Sequence, residues 1–166
     1  MARLLIEGGA FVGLSTQKPC VAGRLASCEL TLGGEGEASR KHFEVLASGS
    51  RFVVKDLGSR NGTYLNGERL ESEPIALTHG DAIRVGETSV RYEAAAPILP
   101  PGTDLGGCTV HERIGRTRYG TIYQGKQGSL ERAVTVEVAD PDLAGDSAFQ
   151  SFYEQRARQG GAIDHP

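Results

Sequence analysis

The chain has 166 residues, 23 of them glycine and only 6% aromatic, a composition full of turns that favours an all-β component over a helical bundle. Eighteen basic residues against 21 acidic ones leave a net charge of −3, and no block of Lys or Arg is long enough to track a nucleic-acid backbone, so nucleic acid is excluded as an expected partner. Cys20, Cys28 and Cys108 are an odd count without metal-ligand spacing, and no apolar run reaches the length of a signal-peptide core or a membrane span; the expectation is a soluble, cytoplasmic protein with no metal, no cofactor and no membrane partner.

In chain order, short apolar runs at residues 2–7 and 11–16 flank Gly8-Gly9 and read as a first pair of strands. Residues 18–23 and 29–32 read as two more, with 24–28 as the turn between them. Residues 33–38 have no apolar period and form a loop that delivers Ser39 and Arg40. Alternation resumes with Phe43, Val45 and Ala47 on one face, then Gly49-Ser50 turns the chain into a strand over 51–56. Two Asn-Gly dipeptides, Asn61-Gly62 and Asn66-Gly67, mark tight reversals, because glycine has no Cβ and Asn tolerates positive φ. Short strands surround Asn66-Gly67. Residues 74–77 lead into a turn at 78–81, and 82–85 and 88–93 form a closing hairpin. The count is about eleven short strands, the pattern of a two-sheet sandwich.

Three loops of this segment offer the guanidinium, hydroxyl and amide donors that phosphate oxygens take. Gly23-Arg24, Ser39-x-x-His42, Asn61-Gly62 and Asn66-Gly67, in that order, resemble the forkhead-associated (FHA) domain, a phosphothreonine-binding β-sandwich, over about residues 2–93. The resemblance implies a mainly β protein whose residues 1–93 are an FHA-like phosphopeptide-binding domain. It implies that Arg24 is the principal phosphate ligand, that the Ser39 hydroxyl and Arg40 also meet the phosphate, and that Arg60 is a further phosphate candidate one turn before Gly62. Asn61 is expected on the peptide main chain, an amide matching an amide. Gly23, His42, Gly62, Asn66 and Gly67 are expected to support the site: His42 hydrogen-bonds within it, Asn66 stitches adjacent loops, and Gly62 and Gly67 serve backbone geometry. Alternation points Lys41 away from Arg40, into solvent.

Residues 94–107 are rich in Ala and Pro and read as a linker. Beyond it, 109–114, 121–126 and 133–139 read as strands. A helix capped by Asp146 or Ser147 runs to about Gln159, with Phe149, Phe152, Tyr153, Arg156 and Ala157 on one face and Gly160-Gly161 as its stop. This small α+β segment, 108–166, resembles the start of a protein-kinase N-lobe. It departs where chemistry would occur: Thr117 replaces the middle glycine of the phosphate-covering loop and Glu137 stands where the family has its phosphate-pairing lysine. Counting back from Asp164-His165-Pro166 puts Arg156 at the helix position of the family's glutamate, which implies an ion pair with exchanged signs. No catalytic residue is expected: the segment reads as a partial pseudokinase lobe.

The expected function is phosphothreonine-dependent recognition of a partner in Ser/Thr-kinase signalling, either a kinase substrate or the kinase itself. The alternative is a phosphate-independent interaction scaffold with a relic kinase-like appendage. Thr103 and Thr109, at or near the linker, also offer an intramolecular ligand.

Overall fold

The computed structural model describes residues 1–33, 36–96, 98–128, 132–144 and 147–160. Eleven strands build two facing sheets. One holds β3 (Cys20–Gly23), β4 (Leu30–Thr31), β5 (Phe43–Ser48), β6 (Arg51–Asp56) and β9 (Ile75–Ala76), in the order β4-β3-β5-β6-β9. The other holds β1 (Arg3–Ile6), β2 (Phe11–Gly13), β7 (Tyr64–Leu65), β8 (Glu68–Arg69), β10 (Ala82–Val85) and β11 (Thr88–Glu93), in the order β2-β1-β11-β10-β7-β8. The period-2 alternation of these strands sends Leu4, Phe43, Val45, Val54, Ile83, Val90 and Tyr92 into the space between the sheets, each 0–1% exposed. Each such Val, Leu, Ile or Phe contributes about 1.5–3 kcal/mol by leaving water. The sandwich of about eleven strands expected from the turn spacing is therefore the one observed.

One pairing differs from expectation. β3 and β4 are not a hairpin but run parallel, Ala22 opposite Leu30. The chain between them must travel back the full length of the pair, so residues 24–29 loop out beyond the sheet rather than turning within it.

Register defines two ends of the sandwich. Ala22 faces Phe43 and Phe43 faces Asp56, so Gly23, His42 and Asp56 lie at one end. Ser48 faces Arg51 at the other, where Leu77 N–H donates to Phe52 C=O and brings the 78–81 turn alongside.

A third sheet, β12-β13-β14-β15, is formed by β12 (Asp104–Leu105), β13 (Cys108–Arg116), β14 (Gly120–Gln127) and β15 (Arg132–Ala139). β12 lies inside the expected linker: Gly106 and Gly107, both at positive φ, turn it back onto β13. Helices α1 (Pro141–Ala144) and α2 (Ser147–Gly160) follow. The expected helix is α2. The short α1 was not foreseen; it lies beside β6, with Leu143 buried.

This segment docks on the far end of the sandwich. Arg116 donates to the Ala94 carbonyl at 3.3 Å and Arg118 reaches Asp81 at 3.3 Å across the junction, while within the segment Arg116 pairs with Asp140 at 2.8 Å and Leu99 N–H of the preceding stretch donates to the Tyr123 hydroxyl at 3.2 Å. The ion pair expected between Glu137 and Arg156 is absent. Glu137 accepts the Thr117 hydroxyl instead, and the Arg156 guanidinium stacks 5.5 Å from the centre of the Tyr119 ring. Phe149 and Phe152 also pack on Tyr119, so the aromatic stripe of α2 seats on the β13–β14 turn and leaves its arginine at the rim. Asp164-His165-Pro166 and Asp146 lie outside the described residues, and no helix among those described is long and apolar enough to cross a membrane.

Candidate functional site

Gly23 makes the site possible by what it lacks. A Cβ there would stand 2.3 Å from the Arg40 carbonyl oxygen, closer than any side chain tolerates. With glycine, Arg24 N–H donates to Ser39 C=O at 3.0 Å and Leu25 N–H to Arg40 C=O at 3.3 Å, which fastens the 24–29 loop to the 39–41 segment.

His42 fastens the third loop. Its side chain is fully buried; Nδ1 accepts the Ser39 N–H at 2.9 Å, and Nε2 lies 3.2 Å from the Gly62 carbonyl. An N–H only donates and a carbonyl only accepts, so the ring is the tautomer with its proton on Nε2. Ser39 completes the junction, its Oγ accepting the Arg60 N–H at 3.0 Å. That bond uses an oxygen lone pair and leaves the hydroxyl proton to donate elsewhere.

Asp56, read from the sequence only as a strand end, holds the 57–62 loop. Its Oδ1 accepts the Ser59 hydroxyl at 2.6 Å and the Thr63 hydroxyl at 2.5 Å, and its Oδ2 the Ser59 N–H at 2.8 Å. Burial pushes the Asp56 carboxyl up, but these donors outweigh it, first the Ser59 hydroxyl and then Thr63, and hold it below the ordinary aspartate value. The signal in the sequence was the serine three residues after an aspartate, the spacing of a side-chain-closed turn.

Together the loops enclose an open cavity of about 700 Å³ lined by Arg24, Ser39, Arg40, Lys41 and Arg60, with Leu25, Gly36 and Ala38. All four phosphate candidates therefore converge. Lys41 joins them against expectation, because β5 begins only at Phe43 and the chain before it does not alternate. Among the described residues, no carboxylate lines the cavity and none of these four cations has an ion-pair partner within 4 Å. Uncompensated cations in a concave site attract a multiply charged anion. No group of three or more His, Cys, Asp or Glu able to hold a metal occurs among the described residues.

The expected peptide contact, Asn61, and two expected supports, Asn66 and Gly67, sit differently. Asn61 does not line the cavity; its Nδ2 donates to the Glu37 carbonyl at 2.9 Å, tying the 57–62 loop to the 36–38 stretch. Glu37 in turn accepts the Glu87 N–H at 2.8 Å. Asn66 and Gly67, at φ 53° and 92°, make the tight β7–β8 turn, but at the far end. There Asn66 donates to Asp81 and accepts the Ala82 N–H, both at 3.0 Å. It stitches loops as expected, though not those of the cavity. Gly62, at φ 80°, belongs to the site, its carbonyl held by His42.

The family model for FHA domains matches residues 20–86. The oxoglutarate dehydrogenase inhibitor of Corynebacterium jeikeium is 35% identical over 89 residues, 52% of this chain and 60% of that protein. FhaB, an FHA domain-containing protein of Mycobacterium tuberculosis, is 31% identical over 90 residues, 52% of this chain and 57% of that one. The chain thus spans under two thirds of the length of these curated relatives. Among solved structures, the N-terminal FHA domain of S. cerevisiae Rad53p in complex with a phosphothreonine peptide superposes with a TM-score of 0.50 at 27% identity, covering 55% of this chain and 91% of that one. Over residues 20–86 the chain is therefore similar to FHA domains in both sequence and fold.

Proposed function

We propose that the chain is a non-catalytic module that binds a phosphothreonine in an extended segment of a partner protein, within Ser/Thr-kinase signalling. The observation that carries this reading is the cavity itself: four cations with no ion-pair partner within 4 Å among the described residues and a serine hydroxyl with its proton free, all on loops locked from beneath by His42 and Asp56. A phosphothreonine brings about −1.5 to −2 charges and three acceptor oxygens to such a site. Arg24 and Arg40 present planar forks to those oxygens, Ser39 donates its hydroxyl, and Arg60 closes the cavity from the 57–62 loop. Asn61 acts by holding the 36–38 stretch, and its amide turns to the peptide main chain only if the Glu37 carbonyl is exchanged for a peptide carbonyl.

We infer that residues 108–166 are a kinase-like segment turned to docking. The residues around its phosphate-covering turn are occupied within the protein, Arg116 by Asp140, Thr117 by Glu137 and Arg118 by Asp81. A carboxylate at 137 repels nucleotide phosphates, so added Mg-ATP is expected to leave the melting temperature unchanged.

Fluorescence anisotropy with a degenerate phosphothreonine peptide pool and its unphosphorylated counterpart tests the main reading. Hydrogen bonds to charged groups contribute about 1.5–3 kcal/mol, so Arg24→Ala should weaken phosphopeptide binding tenfold or more. Equal binding of both pools, or indifference to Arg24→Ala in a folded protein, would instead support a phosphate-independent scaffold.

A further inference from the structure

The two sides of the appended sheet differ in character. On one side β12 covers only the start of β13, and the rest of β13 carries Glu112 and Arg113 and breaks its register with β14 twice, between Val110 and Glu112 and between Arg113 and Gly115. Charges and bulges of this kind keep an edge from pairing with another chain. On the other side β15 has neither defence. It is last in the order β12-β13-β14-β15, pairs with β14 without a bulge, contains no proline, and between Ala133 and Ala139 bears one charge, Glu137. No strand among the described residues lies on its outer side.

Alternation along β15 identifies which of its backbone groups face outward. The Asp140 N–H donates to the Tyr119 carbonyl at 2.9 Å, and bonded and unbonded positions alternate in an antiparallel pair, so Val138, Val136 and Val134 bond to β14. Ala139, Glu137, Thr135 and Ala133 therefore turn their N–H and C=O groups away from the sheet. The Tyr153 hydroxyl agrees: it reaches the Glu137 carbonyl from α2 at 3.1 Å, and leaves that oxygen a second lone pair. Ala133 and Thr135 are exposed.

The residue order along this edge selects its occupant. Residues 133–139 read Ala-Val-Thr-Val-Glu-Val-Ala, the same in both directions except that Thr135 and Glu137 exchange. Two identical strands paired antiparallel are related by a two-fold axis, and a palindrome satisfies that axis at every position. We propose that β15 is a dimerisation edge, on which a second copy of this chain lays its own β15 antiparallel about Val136. Ala133 then meets Ala139, Val134 meets Val138 and Thr135 meets Glu137, and each outward N–H faces a carbonyl. The valines form β-branched cross-strand pairs, and the Thr135 hydroxyl can donate to the Glu137 carboxylate across the axis. Seven residues a side fall well short of the roughly 20–30 of a stable interface, so the dimer forms in the micromolar range. The appended sheet docks at the end of the sandwich away from the phosphate cavity, so this edge stands apart from the phosphothreonine reading and a dimer presents two open cavities.

Sedimentation velocity of the full chain from about 5 to 500 μM, with residue-resolved hydrogen exchange at both extremes, tests this. Wild type should pass from monomer to dimer, and the amides of Ala133, Thr135 and Glu137 should slow at least threefold as concentration rises. Thr135→Glu sets a like charge opposite Glu137 of the second copy, twice across the axis, and should weaken the dimer about threefold or more; Thr135→Lys sets an opposite charge there and should strengthen it. Thr135→Pro removes an outward N–H that β14 does not use, and should weaken the dimer about tenfold or more. Melting temperatures matched to wild type at low concentration confirm that each variant is folded. A chain that stays monomeric throughout, a dimer indifferent to these substitutions, or the Glu and Lys substitutions acting alike overturns the proposal.

Discussion

The two ends of the sandwich use the same residue type to opposite effect. At the end carrying the 24–29, 39–42 and 57–62 loops, Arg24, Arg40 and Arg60 face a cavity with no carboxylate among its described lining. At the other end, Arg116 has Asp140, itself 1% exposed, and Arg118 has Asp81, 6% exposed. An arginine surrounded by acceptors of its own chain is a clamp; an arginine deprived of them waits for an anion from outside. The fold therefore separates recognition from assembly along the axis of the strands, and substitutions at one end should leave the other end's property intact.

The largest effect is expected at the clamp. Removing Arg116 leaves the Asp140 charge buried without its guanidinium, a change that destabilises by about 3–5 kcal/mol. Arg116→Ala should speed hydrogen exchange in β13, β14 and β15 by orders of magnitude while leaving phosphopeptide affinity within twofold; slowed or unchanged exchange would remove Arg116 as a clamp, and a large fall in affinity would merge the two ends into one cooperative unit. Arg118→Ala should do far less, because its side chain is 55% exposed and such pairs contribute about 0–1 kcal/mol.

Asp56 breaks the comparison from the other side, since it acts at the recognition end but through structure. Asp56→Ala removes the acceptor of two hydroxyls and one N–H and should destabilise the sandwich by about 1–3 kcal/mol while weakening phosphopeptide binding, because Arg60 rides on the loop it holds. Its carboxyl lies below the ordinary aspartate value when folded, so the stability it contributes is complete above about pH 3.9, the unfolded value, and falls as pH drops through the folded one. The acid limb of thermal stability should therefore flatten in Asp56→Ala.

Much of this was legible in the residue order. Gly23-Arg24, Ser39, His42 and Asn61-Gly62 each fix a local geometry that the side chain or its absence dictates, and alternation gave the strands around them. The second Asn-Gly pair misled as a site support because a turn signal carries no information on which end of a sandwich it occupies; that depends on β7 crossing the sheet to Asp81. The sequence offered residues 24–28 only as a turn between β3 and β4, because a short connection between apolar runs looks the same whether the strands end up parallel or antiparallel. Arg116 and Arg118 flank Thr117 in the turn that resembles a nucleotide loop, but their partners lie 24 and 37 positions away: Arg116 meets Asp140 only once β13–β15 form a sheet, and Arg118 meets Asp81 only once that sheet docks on the sandwich. Arg156 fell on the helix stripe by period, yet Phe149 and Phe152 take the Tyr119 ring and Tyr153 takes the Glu137 carbonyl, which leaves Arg156 stacked on Tyr119 at the rim.

The smallest expected effect is a pH dependence confined to the clamp. His79 sits in the 78–81 turn, its Nδ1 buried and without a partner. Burial and then the Arg116 charge hold its imidazole below the usual value, with Arg91 and Arg113 adding to this and Glu93 opposing it. When the appended sheet lifts away, His79 regains water and a pKa near 6.5. Between the docked value and 6.5 the open state binds more protons, so docking is fully stable above about pH 6.5 and weakens as pH falls below it, by no more than about 1.4 kcal/mol per pH unit. Limited proteolysis of residues 108–160 should accelerate from pH 7 to pH 5.5 in wild type relative to His79→Gln, each compared at the same pH to cancel the protease's own profile. Because Asp56 lies below the ordinary aspartate value and so outside this window, an equal acceleration in both proteins would remove His79 from the account of the clamp's acid sensitivity.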